Sequence, residues 1–170
     1  TTMVRNWIQK GNWNKLDTQR VDVQLDWLQA WMSGQKSLSF YSSGTTGEPK
    51  KIEFTREQIV SSAKRTAIFF NLHEHTKVLS TLPYTFVAGR MNVLRALILN
   101  HDLYILDDWH DQKDWEGLSH HEIDWWTCTP MMLESVINMG IDLSFIKKIL
   151  LGGGPIPPHL QKIMREMSCE

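Results

Sequence analysis

A run of ten residues, Tyr41–Lys50, carries side chains that suit the binding of a polyphosphate. It contains five hydroxyl groups, two glycines and a final lysine. Glycine allows neighbouring backbone N–H groups to point toward one position, Ser and Thr add hydroxyl donors, and lysine supplies a mobile positive charge. The run therefore predicts a cradle for an anion with several oxygens, such as a nucleotide polyphosphate. It is not a P-loop, because that pattern requires glycine at the position of Pro49.

The order of these residues resembles the phosphate-binding signature of the adenylate-forming superfamily, which includes acyl-CoA synthetases, luciferases and peptide-synthetase adenylation domains. That signature reads Tyr or Phe, Ser or Thr, Ser, Gly, Ser or Thr, Thr, Gly, any residue, Pro, Lys, Gly. The match extends from Tyr41 to Lys50 and ends at Lys51, where the family usually has glycine. A polar surface turn is the alternative, and a strict order of this length argues against it.

The resemblance implies that the hydroxyls of this run donate to the β- and γ-phosphates of ATP and that its glycines donate backbone N–H groups. Lys50 is expected either to pair with phosphate or to hold the loop closed, and it is an expected catalytic residue together with Thr46. The implied nucleotide-binding residues of the run are Ser42, Ser43, Gly44, Thr45, Thr46, Gly47 and Lys50.

Two later segments resemble other parts of the same family's site. Gly152–Pro155 matches a glycine-rich segment beside the adenine, although a tight strand–helix turn also explains such glycines. Leu82–Gly89 matches the frame of a segment that borders nucleotide and acyl group, with Phe86 where the family has histidine. The resemblance thus implies nucleotide binding by Gly152, Gly153, Gly154 and Pro155. The expected substrate-pocket residues are Tyr84, Phe86, Gly89, Arg90 and Arg95.

Arg90 and Arg95 belong to an apolar helical pattern that follows Gly89. Each is explained either as a surface arginine of an amphipathic helix or as a cation for a second carboxylate on the substrate. Short bacterial o-succinylbenzoate-CoA ligases, the members of the family that act in menaquinone synthesis, resemble the chain in compactness and over Leu82–Leu97. They activate a dicarboxylate, so the second explanation is chemically sensible under this resemblance, and both explanations stay open.

Hydrophobic periodicity places these segments on alternating strands and helices. The predicted strands are Leu38–Tyr41, Lys51–Phe54, Val78–Leu82, Leu103–Leu106, Ile123–Cys128 and Lys148–Leu151. The predicted helices are Val4–Lys10, a helix capped by Asp17 or Thr18 that ends before Gly34, a capping-box helix from Thr55 to Asn71, a helix after Gly89, Asp111–Leu118, Met131–Met139 and Pro157–Met167. Such alternation predicts an α/β fold with a mostly parallel sheet and flanking helices.

Ligands bind at the carboxyl ends of parallel strands, so Pro83–Gly89, Thr127–Pro130 and Gly152–Pro155 are expected to line the site. We expect residues 1–36 to form a helical N-terminal segment. Residues 37–170 are expected to form part of the large N-terminal domain of an adenylate-forming enzyme. The family's later motifs, including Tyr-Gly-x-Ser/Thr-Glu, do not occur in residues 159–170. The chain is therefore expected to be an N-terminal piece that does not complete adenylation alone.

The composition limits the other function classes. A chain of 170 residues with 42% apolar and 22% charged residues suits a globular domain, and no stretch is long and apolar enough to span a membrane. The net charge of −1 gives no support to a nucleic-acid or anionic-membrane partner. Cys128 and Cys169 lie far apart, which predicts reduced thiols and a cytoplasmic location. The histidines, including His120 and His121, lack usable spacing to other ligand types, so no protein metal site is expected.

The expected activity is that of an AMP-forming acid–thiol ligase that uses ATP, Mg²⁺ and coenzyme A. The resemblance implies that a carboxylate attacks the α-phosphate of ATP and that the coenzyme A thiol then displaces AMP from the acyl-adenylate. The expected partners are a small carboxylic acid, ATP and coenzyme A, and a homo-oligomer is left open. The alternatives are another acyl-CoA synthetase or adenylation domain, and a non-catalytic nucleotide-binding module.

Overall fold

A computed structural model describes residues 5–6, 26–41, 50–106 and 108–167. Its strands are β1 (Arg5–Asn6), β2 (Ser37–Tyr41), β3 (Lys51–Thr55), β4 (Lys77–Ser80), β5 (Asp102–Ile105), β6 (Trp125–Cys128) and β7 (Ile149–Leu151). Its helices are α1 (Asp26–Met32), α2 (Arg56–Phe70), α3 (Val87–Leu99), α4 (Gln112–Leu118), α5 (Pro130–Asn138) and α6 (Pro158–Glu166). The predicted alternation of strands and helices is confirmed.

The described residues form two compact units. The sheet unit takes its described residues from Thr1–Trp7, His75–Thr81 and Asp102–Glu170. The hairpin unit takes them from Ile8–Glu74 and Leu82–His101. The predicted boundary at residue 36 stays a prediction.

The sheet unit is built on five strands in the order β1-β5-β4-β6-β7. The four central and distal strands β5, β4, β6 and β7 run parallel, and β1 pairs antiparallel with β5. Trp125 and Trp126 point to opposite faces of β6, and both are buried. Both faces of the sheet are therefore covered, as expected for parallel strands with continuous apolar sequences. Trp126 packs edge to face against Trp115 of α4, with ring centroids 5.3 Å apart.

The predicted helix at Val4–Lys10 is wrong at Arg5 and Asn6, which form β1. Their backbones pair with Ile105 and Tyr104 at the open side of β5. An edge strand presents unpaired N–H and C=O groups, and satisfying them outweighs a weak local helical pattern. The other residues of that predicted helix lie outside the described residues.

The hairpin unit contains the antiparallel pair β2–β3, whose register runs from Ser37↔Thr55 to Tyr41↔Lys51. This pairing confirms the predicted strand–loop–strand arrangement. Phe40 of β2 is fully buried and packs edge to face against Phe54 of β3, with centroids 5.4 Å apart. The hairpin therefore has one apolar face that fixes its register.

Helix α2 begins with the predicted capping box. The Thr55 hydroxyl accepts the backbone N–H of Gln58 at 3.3 Å, and the Gln58 side chain accepts the backbone N–H of Thr55 at 2.9 Å. The helix ends at Asn71, whose left-handed backbone (φ 53°) is a common helix terminator. It buries Ile59 and Ala63 among its apolar positions.

Helix α1 differs from the prediction in its apolar face, and helix α3 differs in its start. The predicted start of α1 at Asp17 or Thr18 lies outside the described residues, and Met32, predicted for its apolar stripe, is 51% exposed. Helix α3 starts at Val87, so three residues of the predicted Pro83–Gly89 loop form its first turn. Phe86 is its N-cap with an extended backbone. In the described part of the chain, no helix combines the length and the apolar character that crossing a membrane requires.

Candidate functional site

The hairpin places the two ends of the hydroxyl-rich run next to each other. Tyr41 is the last residue of β2, Lys51 is the first of β3, and the two are direct partners in the ladder. Lys50 is exposed and directly precedes β3. The described residues therefore place the two ends of the run side by side.

Most of the predicted phosphate-binding residues fall between those two ends. Ser42, Ser43, Gly44, Thr45, Thr46 and Gly47 lie outside the described residues. Their assignment to ATP phosphates, and that of Thr46 and Lys50 to catalysis, stays a prediction.

Gly89 fixes how closely α3 approaches the turn that precedes it. A Cβ atom added at Gly89 would lie 2.3 Å from the carbonyl oxygen of Pro83 and 2.7 Å from that of Leu82. No side chain fits at that distance, so glycine is required for the backbone contact. The turn is closed by the backbone N–H of Phe86, which donates to the carbonyl of Pro83 at 3.3 Å. Gly89 therefore shapes this predicted wall through packing.

Tyr84 and Phe86 are half-buried in that turn. Tyr84 contributes its backbone carbonyl to a contact with Arg90. Phe86 stands where the family has histidine, and a phenyl ring carries neither a proton donor nor an acceptor. A pocket-lining role is the one its chemistry permits.

Arg90 is engaged with the backbone of the hairpin unit. Its Nε donates to the carbonyl of Tyr84 at 2.7 Å, and one terminal nitrogen donates to the carbonyl of Ser39 at 2.8 Å. The guanidinium also lies 5.4 Å from the ring centroid of the buried Trp27. Burial lowers the pKa of Arg90 from its ordinary value, and the group stays protonated at neutral pH.

Arg95 lies one turn further along α3 and is less engaged. One terminal nitrogen donates to the side-chain oxygen of Asn92 at 3.2 Å. Its Nε is buried and has no hydrogen-bond partner in the part of the chain that the structure describes. Burial lowers the pKa of Arg95 as well. A buried donor without a partner is uncommon in folded proteins.

The glycine-rich turn of the sheet unit follows β7. The backbone N–H of Gly152 donates to the carbonyl of Cys128 at 3.1 Å, which joins this turn to the end of β6. Gly153 has a φ of +83°, a backbone conformation that favours glycine. A Cβ atom added at Gly152 or at Gly154 would have no described atom within 4 Å. Gly152, Gly153, Gly154 and Pro155 are all exposed, so the turn presents bare backbone on which a flat ring can lie.

The neighbouring hydroxyls at the carboxyl ends of the strands have structural partners. Thr129 accepts the backbone N–H of Met132 at 3.2 Å and so caps α5. Thr81, which follows β4, accepts the indole N–H of Trp126 at 3.0 Å. The predicted ligand-side loop Thr127–Pro130 starts with a β6 residue, and Thr127 accepts the indole N–H of Trp125 at 2.9 Å. These contacts hold the ends of β4 and β6 and the start of α5 in place.

The predicted site residues are thus distributed over both units. The hairpin unit brings together the turn at Tyr84, Phe86 and Gly89 with Arg90 and the middle of β2. The sheet unit holds Gly152–Pro155. Sequence reasoning missed Ser39 and Trp27 as partners of Arg90. A backbone carbonyl and a distant ring leave no local pattern, so no sequence signal points to them.

The described residues contain no cluster of three or more His, Cys, Asp or Glu side chains that could hold a metal ion.

The comparison with known proteins supplies the family. Residues 19–170 match the family described as AMP-binding enzyme. The chain is 26% identical over 157 residues to the 2-succinylbenzoate–CoA ligase of Oceanobacillus iheyensis, covering 90% of this chain and 33% of that protein. It is 26% identical over 141 residues to the ligase of the same name from Listeria monocytogenes, covering 82% of this chain and 30% of that protein. The chain spans about a third of the length of these relatives.

Solved structures agree with this result. An acyl-CoA synthetase (AMP-forming)/AMP-acid ligase II-like protein from Dyadobacter fermentans superposes with a TM-score of 0.74 at 28% identity, over 85% of this chain and 41% of that one. The o-succinylbenzoate coenzyme A synthetase of Bacillus subtilis, in complex with ATP and magnesium ion, gives a TM-score of 0.66 at 26% identity, over 77% and 28% of the two chains. The family match covers most of the chain. The chain belongs to the AMP-binding enzyme family.

Proposed function

We propose that this protein takes part in ATP-dependent activation of a carboxylic acid, followed by transfer of the acyl group to coenzyme A. The observation that carries the proposal is the family match over residues 19–170, which includes the ordered run Tyr41–Lys50. The hairpin that joins the two ends of this run supports it, because Tyr41 and Lys51 are paired. The reaction class is that of an AMP-forming acid–thiol ligase within a longer chain.

The proposed chemistry has two balanced steps. A carboxylate oxygen of the acid forms a bond to the α-phosphorus of ATP, and the bond from that phosphorus to the pyrophosphate oxygen breaks. The coenzyme A sulfur then bonds to the acyl carbon, the bond to AMP breaks, and the thiol proton passes to solvent. The protein's task in the first step is to neutralise and orient the phosphates, which suits hydroxyls, backbone N–H groups and Lys50.

Magnesium ion enters this proposal with the nucleotide. The described residues offer no cluster of three His, Cys, Asp or Glu ligands. An ion of this kind usually keeps phosphate oxygens and water among its ligands and needs only one or two carboxylates. When bound, it supplies charge neutralisation on the phosphates.

The acid that we propose is o-succinylbenzoate, as in menaquinone biosynthesis. Relatives over most of this chain carry the name 2-succinylbenzoate–CoA ligase. Arg95 is a half-buried cation on α3, the helix that follows the turn at Tyr84 and Phe86, which supports a substrate with a second carboxylate. Tyr84 and Phe86 supply the apolar surface that an aromatic acid requires.

A panel of carboxylic acids tests this proposal with the full-length protein. Each acid is supplied with ATP and coenzyme A, and the release of AMP is measured. We expect o-succinylbenzoate to give the highest kcat/KM, with monocarboxylic fatty acids far behind. A preference for fatty acids would overturn the dicarboxylate substrate and, with it, the role of Arg95. It would leave the ligase class intact and point to another acyl-CoA synthetase or to an adenylation domain.

The 170-residue chain alone is expected to bind ATP without completing adenylation. Pyrophosphate release from ATP and o-succinylbenzoate by this purified chain would contradict that expectation. A non-catalytic nucleotide-binding role is the second candidate, and Phe86 favours it because a phenyl ring replaces the family's histidine. Nucleotide binding without AMP release by the full-length protein, for every acid, would favour this candidate. Cytoplasmic location and homo-oligomer formation stay predictions.

A further inference from the structure

Arg90 joins two backbone segments that lie far apart in the sequence. Its Nε donates to the carbonyl of Tyr84, and a terminal nitrogen donates to the carbonyl of Ser39, which is 51 residues away. The donor–acceptor distances of 2.7 and 2.8 Å are short for N–H···O bonds, as is typical when the donor is charged. The two carbonyls are therefore held by one planar group.

The two carbonyls that Arg90 binds belong to two different predicted parts of the site. Ser39 lies in the middle of β2, two residues before Tyr41, where the hydroxyl-rich run begins. Tyr84 lies in the turn that Gly89 holds against the start of α3. Arg90 thus connects the strand that leads into the predicted phosphate cradle with the turn predicted to border nucleotide and acyl group.

The surroundings of the Arg90 side chain restrict its movement. Arg90 is half-buried, and its guanidinium is 5.4 Å from the ring centroid of Trp27, which is 6% exposed. The guanidinium presents donors at fixed angles within one plane, so two acceptors bound to it have a fixed separation. A lysine ammonium has the same charge but a single nitrogen, and it cannot reproduce that geometry.

We propose that Arg90 is a positioning residue, which sets the placement of β2, the strand that leads into the Tyr41–Lys50 run, relative to the Pro83–Phe86 turn by holding the Ser39 and Tyr84 carbonyls on one guanidinium. It does so without contacting substrate. This role differs from the pairing of Arg90 with a substrate carboxylate that the sequence predicts, and it leaves that task to Arg95. The inference rests on the proposed function, in which the two segments act on the same nucleotide.

The test compares Arg90→Lys with a matched control, Arg56→Lys. Arg56 also donates a terminal nitrogen to a backbone carbonyl, that of Trp31 at 2.9 Å, and it lies 3.7 Å from the Trp31 ring centroid. Both variants therefore lose an arginine that is bound to carbonyl oxygen and stacked on a buried tryptophan. Among the described residues the side chain of Arg56 contacts Trp31, which belongs to neither β2 nor the Tyr84 turn, so Arg56→Lys reports the stability effect alone.

Steady-state kinetics and amide hydrogen exchange are measured on the full-length protein. Misplacing a reacting group by about 1 Å costs up to about 100-fold in rate, so we expect Arg90→Lys to lower kcat/KM for ATP by about 10- to 100-fold. Arg56→Lys is expected to change it by less than about threefold at equal thermal stability. Exchange in peptides covering residues 41–51 should become faster in Arg90→Lys and remain unchanged in Arg56→Lys.

The outcomes separate this inference from the proposed function. If wild-type protein releases AMP and the two variants behave alike, Arg90 has no positioning role and the ligase function stands. If wild-type protein neither binds ATP nor releases AMP, the proposed function is overturned, and the exchange measurement still tests whether Arg90 holds the run. Arg90→Gln, which retains one donor group, replaces Arg90→Lys if the latter does not fold. Failure of both to fold would make Arg90 a folding requirement and overturn its positioning role.

Discussion

Tyr41 and Lys51 are direct partners in the β2–β3 ladder, so the hydroxyl-rich run between them begins and ends at one point of the hairpin. Hairpin register is decided by the buried face, here Phe40 against Phe54. A slip of one residue would turn Phe40 outward and change the partner of Tyr41. The core of the hairpin unit and the predicted phosphate cradle are therefore linked through one strand pair.

Replacement of Lys50 by alanine is expected to weaken ATP binding. A hydrogen bond to a charged group contributes about 1.5–3 kcal/mol, which corresponds to about a 10- to 100-fold rise in the dissociation constant. Isothermal titration with ATP measures the change. Lys51→Ala is the control, because Lys51 is an exposed neighbour with the same charge. Equal affinities of wild type and Lys50→Ala would remove Lys50 from the site.

Replacement of Gly89 by alanine is expected to destabilise the hairpin unit. The new Cβ would lie 2.3 Å from the Pro83 oxygen, and a backbone carbonyl cannot move aside as a flexible side chain does. Overpacking of this kind costs about 1–3 kcal/mol. Urea unfolding of wild type and variant measures the change in the free energy of unfolding.

Gly154→Ala is the matched control for the Gly89 variant. An added Cβ at Gly154 meets nothing within 4 Å, and no positive φ is present there. We expect its free energy of unfolding to stay within about 0.5 kcal/mol of wild type. If Gly89→Ala had the same free energy of unfolding as Gly154→Ala, the close approach of α3 to the Pro83 turn would not matter for stability.

Replacement of Arg95 by methionine is expected to raise KM for a dicarboxylic acid and to leave KM for a monocarboxylic acid almost unchanged. The loss of a charged hydrogen bond to the second carboxylate predicts about a 10- to 100-fold increase. Methionine retains much of the volume of the side chain, which limits the packing change. Arg65→Met, at an exposed position of α2, is the control. A proportional rise in KM for both classes of acid would indicate a structural role instead.

Asp124 is expected to make the sheet unit sensitive to acid. Burial raises the pKa of this carboxyl, but hydrogen bonds from the Lys77 backbone N–H and from Lys147 Nζ, both at 2.9 Å, lower it more, so the net pKa lies below its ordinary value. A depressed folded-state pKa contributes stability above the unfolded value of about 4 and loses it as the pH falls through the folded-state value. Asp124→Ala is therefore expected to cost about 1–3 kcal/mol at pH 7 and much less at pH 2.

Glu122→Gln is the control for that pH dependence. Glu122 also lies near Lys147, at 3.6 Å, but its side chain is 79% exposed. Exposed pairs contribute little, so we expect Glu122→Gln to have almost the same urea midpoint as wild type at pH 7 and again at pH 2. A loss at Glu122→Gln equal to that at Asp124→Ala would assign the effect to overall charge.

The sequence by itself determined which elements occur and in what order. The capping box at Thr55 and Gln58 depends on residues three positions apart, and it is present as predicted. The apolar runs that became β4, β5, β6 and β7 depend on neighbouring residues in the same way. The order of residues in Tyr41–Lys50 predicted the family, because a phosphate cradle needs particular side chains at consecutive positions. The contacts of residues 42–49 stay predictions.

Only the tertiary structure decided which backbone groups meet. Arg5 and Asn6 join the sheet because the open side of β5 offers them hydrogen bonds from about 100 residues further along the chain. Gly89 lies against the Pro83 carbonyl, and Arg90 holds the carbonyl of Ser39 across 51 residues. A backbone carbonyl is the same at every residue type, so the sequence carries no mark of which one an arginine will bind. That choice follows from the distances that the folded hairpin unit creates.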